Sequence, residues 1–193
     1  HTRLPSDWSS DVCSSDLLGA FFDPNYEGDG LKIQEVIKRG PFAVKKNEVT
    51  AGCIIEKFDG EAIKAGEDYN ALLDGKAGKN VRLTIRNTKG KTFDLTIKAI
   101  SQGNQQELLY KRWVDRNRAI VDSVSIGRIA YVHVKAMNSE SFRTVYSELL
   151  SDKNRNKDAV IVDERHNGGG WLHDDLCTLL NGKQYQEFVP HGK

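Results

Sequence analysis

Three consecutive glycines, Gly168-Gly169-Gly170, stand between a short apolar run and a stretch with helical spacing. The run before them, Asp158-Ala-Val-Ile-Val-Asp163, is too short for a helix and almost unbroken in apolar residues. That is the pattern of a parallel strand covered on both faces. After the glycines, Leu172, Leu176, Leu179 and Leu180 fall on the inward side of a helix expected from Trp171 to Leu180. Upstream, Ile129-Ala-Tyr-Val-His-Val134 reads as a strand. Ser139 to Leu150 reads as a helix with Phe142, Val145, Tyr146, Leu149 and Leu150 on one face. Strand, helix, strand implies a parallel crossover. Glycines at the strand-to-helix turn permit positive φ and close backbone approach. The next helix aims free N–H groups at the space above the strand end, which favours negative charge there. Spacing alone leaves three readings open: an oxyanion hole beside a nucleophile, a phosphate loop, or a tight packing turn. The phosphate-loop patterns are unmet, because His173 stands where a last glycine would and no lysine follows Gly170.

The first half of the chain has strand-like periods. Leu18-Gly-Ala-Phe-Phe22 is a short apolar run, and Asp23 to Gly30 is rich in turn residues. Leu31 to Ile37 follows, with Leu31, Ile33 and Ile37 at period two, and Gly40-Pro41 ends it. Gly52 to Phe58 is a further strand, Asp59-Gly60 a tight turn, and Ala62-Ile63 a short partner. Asp68 to Asp74 is expected to be a short helix, with Asp68 as N-cap and Gly75 as stop. Val81 to Arg86 and Thr92 to Ile97 alternate cleanly and are joined as a hairpin by Asn87-Thr-Lys-Gly90. A long helix follows at Gln105 to Val124. Leu109, Trp113, Ile120 and Val124 form its apolar stripe, and the charged face of Lys111, Arg112, Asp115, Arg116 and Arg118 reads as solvated.

Composition excludes several classes. Hydrophobic residues make up 38% and charged residues 28%, which suits a soluble globular chain. No apolar run approaches the ~20 residues of a membrane span. A net charge of +1 offers no nucleic-acid or membrane surface. Cys13, Cys53 and Cys177 have no paired or metal-ligand spacing and read as isolated thiols, leaving the redox compartment open.

His1 to Leu17, HTRLPSDWSSDVCSSDL, has no apolar periodicity and no signal-peptide core. It resembles the conceptual translation of a sequencing adaptor, so it is set aside as an artefactual segment. On that reading the natural gene begins upstream, and any targeting signal and the compartment stay unknown.

Two resemblances join these elements. Ala51-Gly-Cys-Ile-Ile-Glu-Lys-Phe-Asp-Gly-Glu-Ala-Ile63, in its order of strands, resembles a PDZ domain. Gly28-Asp29-Gly30-Leu31 sits where such domains carry a carboxylate-binding loop, and the next strand would take an extended peptide at its edge. The loop departs from Gly-Leu-Gly-Phe, and the alternative is a turn that only joins two strands. Asp163-x-Arg165-x-Asn167-Gly168-Gly169-Gly170 resembles the hallmark of family S41 peptidases. Tyr110-Lys-Arg-Trp113-Val114, Asn117-Arg118 and Gly127-Arg-Ile-Ala-Tyr131-Val-His133 look like its tricorn branch.

The resemblance implies an α+β chain in three parts. Residues 1–17 are the adaptor-derived segment, 18–102 a PDZ-like peptide-binding domain, and 103–193 a truncated peptidase domain with a parallel crossover. It implies a serine peptidase working by acyl transfer, with Gly170 donating its N–H to the oxyanion and Gly169 shaping the turn. Asp163, Arg165 and Asn167 would hold the loop. The Ser-His pair would lie upstream, and the nucleophilic Ser and a later Glu beyond Lys193, so this chain is expected to be inactive alone. His133, His166, His173 and His191 match no base position. Phe188-Val-Pro-His-Gly192 lies near the start of the specificity pocket. No metal or organic cofactor is implied. The partner is a peptide or unfolded polypeptide, and an oligomer is open for the parent. Rival readings are a Ser-Lys C-terminal processing peptidase, a non-enzymatic PDZ module, and a phosphate-binding α/β unit.

Overall fold

The computed structural model describes residues 18–45 and 48–181. The adaptor-like segment with Cys13, and Phe188 to Gly192 with His191, lie outside the described residues. The chain forms an α+β structure in two compact units, one running to Trp113 and the other starting at Val114. The long helix α2 (Gln102–Val124) crosses this division.

The first unit is built on an antiparallel sheet. Its strands are β1 (Ala20–Phe22), β2 (Leu31–Val36), β3 (Ile54–Phe58), β4 (Glu61–Ala62), β5 (Asn80–Arg86) and β6 (Thr92–Lys98). The order is β1-β2-β3-β5-β6, with β4 paired to β3. Period-two alternation fixes the hairpin register: Val81 opposes Ile97, Leu83 opposes Leu95, and Ile85 opposes Phe93. Asn87 Oδ1 closes that hairpin by accepting from Lys89 N and Lys91 N, each at 3.0 Å. At the β3–β4 turn both Asp59 and Gly60 have positive φ, as a two-residue hairpin loop requires. Leu18, Ile33, Phe42, Cys53, Ile55 and Leu83 are fully buried at the centre.

The expected helix at Asp68–Asp74 shrinks to α1 (Asn70–Leu73). Asp68 Oδ1 accepts from Asn70 N at 3.0 Å across two residues, which makes a local turn rather than a cap, and Tyr69 occupies the cap position.

The charged face of α2 is not simply solvated. Arg112 makes two bonds to Glu35, of 2.7 and 2.6 Å, and its guanidinium lies 5.0 Å over the Phe21 ring. Arg118 bonds Glu148 at 2.8 Å. The apolar stripe also ends early. Leu109 is buried, whereas Ile120 and Val124 are exposed among the described residues.

In the second unit, β7 (Ile129–His133) and β8 (Ala159–Asp163) pair in parallel, with Tyr131 beside Ile161 and His133 beside Asp163. Helix α3 (Ser139–Leu149) joins them, and its N-cap Asn138 accepts from Ser141 N at 2.9 Å. Helix α4 (His173–Asn181) follows β8. One sheet face is packed: Val132, Val134, Val145, Leu172 and Leu176 form a core joined by Val160 and Val162. On the other face Tyr131 and His133 of β7 and Asp163 of β8 are buried, but Ile161 of β8 is 42% exposed among the described residues. The expectation that both faces of β8 are covered is therefore corrected. Tyr146, Leu150 and Leu180 are likewise exposed. Helix α4 begins two residues later than expected, because Trp171 and Leu172 form a turn that brings Leu172 into the core.

Candidate active-site turn and peptide groove

The turn after β8 is held from β7. Side chains two apart on a strand share a face, so Tyr131 and His133 both point to the side of Asp163. The Tyr131 hydroxyl donates to Asp163 Oδ2 at 2.6 Å. Arg165 donates from its backbone N to Asp163 Oδ1 at 3.0 Å and from Nε to both carboxylate oxygens at 2.9 Å. His133 Nε2 lies 2.8 Å from the Arg165 carbonyl oxygen. A carbonyl only accepts, so that nitrogen carries the proton. Asn167 then ties the glycines down. Its Nδ2 donates to Val134 O, and its Oδ1 accepts from Gly169 N, both at 2.9 Å.

Gly169 and Gly170 have φ of 83° and 148°, conformations open to glycine. Gly169 spends its N–H on Asn167. Among the described residues Gly170 N–H meets no acceptor, and Gly170 is exposed. A side chain at Gly170 would place its Cβ 2.6 Å from Met137 Cβ, whereas Gly168 has open space.

Burial alone would raise the Asp163 carboxyl, but bonds from Arg165 and Tyr131 outweigh it and hold it well below the usual carboxylate range. Burial and the Asp163 carboxylate push the Tyr131 hydroxyl up to about 12, so it remains a donor. Burial pushes the His133 imidazole down, outweighing its bond to the Arg165 carbonyl. Both depressed groups bind protons more weakly folded than unfolded. Stability should therefore fall on acidification in two stages. One begins as the unfolded chain's histidine protonates near pH ~6.5, and the other below ~4 as Asp163 gives up its contribution. Urea midpoints between about pH 7 and about pH 5 read the first stage. His133→Gln, which keeps a donor for the Arg165 carbonyl, should abolish it, and an unchanged slope in that variant would refute the assignment.

Gly28, Asp29, Gly30 and Leu31 take a different arrangement from a free carboxylate loop. Gly30 N donates to Ile63 O at 2.9 Å. A Cβ at Gly30 would fall 2.6 Å from Ile55 O, at φ 93°, so close packing on β3 demands this glycine. The Asp29 carboxylate accepts from Lys64 Nζ and Ala65 N, each at 3.0 Å. Strand β2 has partners on both sides, β1 and β3, so the edge expected to take a peptide is occupied. Among the described residues the sheet ends at β6 on one side and at β1 on the other. Beside β1 a groove of about 790 Å³ is lined by Phe22, Tyr26, Gly28, Gly30, Leu31 and Tyr69 among others. Phe22 and Tyr69 meet edge-to-face at 5.8 Å. Sequence reading missed that β1 flanks β2. Its signal was the Leu18-Gly19 step into an apolar run, where Gly19 has φ 71° and lies against Pro41.

Residues 24–102 match the model of the tricorn protease PDZ domain, and residues 128–189 match that of peptidase family S41. The tricorn protease of Thermoplasma acidophilum is 30% identical over 133 residues, covering 69% of this chain and 12% of that protein. Tricorn protease homolog 1 of Streptomyces coelicolor is 31% identical over 162 residues, covering 80% of this chain and 15% of that protein. A crystal structure of the tricorn protease shares the fold, with TM-score 0.71 and 23% identity over 91% of this chain and 17% of that one. The chain spans less than a fifth of the length of each of these proteins. With both of its matched regions in the order found here, this chain belongs to the tricorn-like peptidases of family S41.

Proposed function

We propose that this polypeptide supplies a peptide-binding PDZ domain, residues 18–102, and the oxyanion-stabilising turn of a serine peptidase domain, residues 103–193. The observation that carries the reading is the glycine turn. Its backbone is pinned by Asp163, Arg165, His133 and Asn167, and Gly170, an exposed residue, has an N–H without an acceptor among the described residues. In acyl transfer a serine attacks the peptide carbonyl, a base takes the serine proton, and negative charge grows on the carbonyl oxygen. An amide fixed before the reaction stabilises that charge without reorganising. Gly170 N–H is the donor in this scheme, and Gly169 holds the bend that presents it. The groove beside β1 would take an extended segment of the substrate by strand addition, with apolar contacts from Phe22 and Tyr69.

The nucleophile is proposed to come from sequence outside these 193 residues, since no Ser-Asp-Gly turn occurs within them. A serine-directed fluorophosphonate should therefore leave the purified chain unlabelled. The same chain continued through the rest of a peptidase domain should be labelled and should cleave peptides. Labelling of the short chain, or an extended polypeptide that is folded yet neither labelled nor active, would defeat the reading.

A further inference from the structure

We propose that the Tyr131 hydroxyl is the positioning group for the glycine turn, acting through Asp163 and Arg165 on the orientation of Gly170 N–H. The inference rests on the oxyanion reading above and extends it to a residue on the neighbouring strand.

The geometry sets out a chain of bonds. Parallel pairing places Tyr131 beside Ile161, so its ring runs along the same face toward Asp163 at the strand's C-terminal end. The hydroxyl reaches Asp163 Oδ2 at 2.6 Å, within the range of a hydroxyl bonded to an ionised carboxylate. Asp163 is only 7% exposed, and Tyr131 is buried. The Arg165 guanidinium, in contrast, is half exposed. The Arg165–Asp163 pair and the buried hydroxyl restrain the carboxylate together, and the hydroxyl is the restraint supplied from β7.

A fixed carboxylate fixes the main chain after it. Asp163 Oδ1 accepts the Arg165 backbone N–H, which sets the chain direction as it leaves β8. His133, from the same face of β7, holds the Arg165 carbonyl. Two β7 side chains thus grip the peptide units on either side of Arg165, one directly and one through Asp163. Asn167 grips the next segment through Val134 O and Gly169 N. Between Asn167 and the buried Leu172 only four residues remain, so the location of Gly170 follows from those anchors.

The test is Tyr131→Phe, which keeps the ring in place and deletes one oxygen. In the 193-residue chain, ¹H–¹⁵N spectra should show the Gly169 and Gly170 amides shifted, with Gly169 exchange faster by about tenfold or more. The amides of Val145 and Leu176, in the packed core, should keep their shifts. A uniform change across both sets would mean a merely structural role, and unmoved glycine amides would overturn the proposal. In the wild type, the Tyr131 hydroxyl proton bonded to Asp163 should appear as a slowly exchanging resonance. Its absence overturns the proposal without recourse to a variant. In a polypeptide that carries the nucleophile, kcat should fall roughly 10- to 100-fold with KM little changed, because the donor acts in the transition state. If the glycine amides respond but no extended polypeptide ever reacts with a fluorophosphonate, positioning stands and the peptidase reading falls. If that polypeptide reacts and the glycine amides ignore the hydroxyl, positioning alone falls.

Discussion

Arg165→Ala should destabilise the second unit by about 3 kcal/mol, the low end of the range for breaking a buried ion pair. The cost comes from the partner left behind. Asp163 is 7% exposed and would keep its charge among buried groups, with Tyr131 as its remaining side-chain donor. Arg165 itself is half exposed, which holds the effect to that low end. The double variant Arg165→Ala/Asp163→Asn should recover most of the loss, since no buried charge then remains. In the second, Asp163 stage of acidification the single variant should instead gain stability as pH falls, opposite in sign to the wild type, because its Asp163 carboxyl is no longer held ionised by the guanidinium. Urea unfolding followed at the amides of β7 and α3 measures all three. A double variant less stable than the single would show that the pair's net contribution, and not the stranded carboxylate, sets the cost.

Gly170→Ala has the largest expected effect on chemistry. The new methyl would stand 2.6 Å from Met137 Cβ, on a backbone with φ of 148°. Either the turn or the Met137 segment must move, and the amide moves with it. In a polypeptide with a nucleophile, the rate of acyl transfer should drop roughly 10²- to 10³-fold, the usual consequence of losing an oxyanion donor. Gly168→Ala is the contrast, for its Cβ meets nothing within 4 Å. That variant should be as stable as the wild type or up to about 1 kcal/mol more so, through a less flexible unfolded chain. Full activity in Gly170→Ala would remove this amide from the mechanism.

Local burial patterns were legible in the sequence, and long-range partners were not. Val81, Leu83 and Ile85 alternate because one side of a strand packs, and the hairpin with Leu95 and Ile97 follows from neighbours in the chain. The charged face of α2 misled because Arg112 and Arg118 find Glu35 and Glu148, 77 and 30 residues away. Periodicity carries no word of such pairs. Strand order misled in the same way. Leu31–Val36 looked like an available edge, but β1 and β3 flank it, and the described sheet ends at β1 and β6. At the site, the spacing from Asp163 to Gly170 announced the turn. Tyr131 stayed hidden, since its link to Asp163 exists only once β7 and β8 are in register.

The tethering of residues 28–31 bears on how the groove would receive a guest. Gly30 N–H is bonded to Ile63 O, and Asp29 clasps Lys64 and Ala65, before any peptide arrives. The entropy of fixing that rim is lost when the domain folds, not when it captures something. A bound strand would then meet a preformed cradle, and affinity would follow the fit of its side chains instead of the stiffening of the receptor.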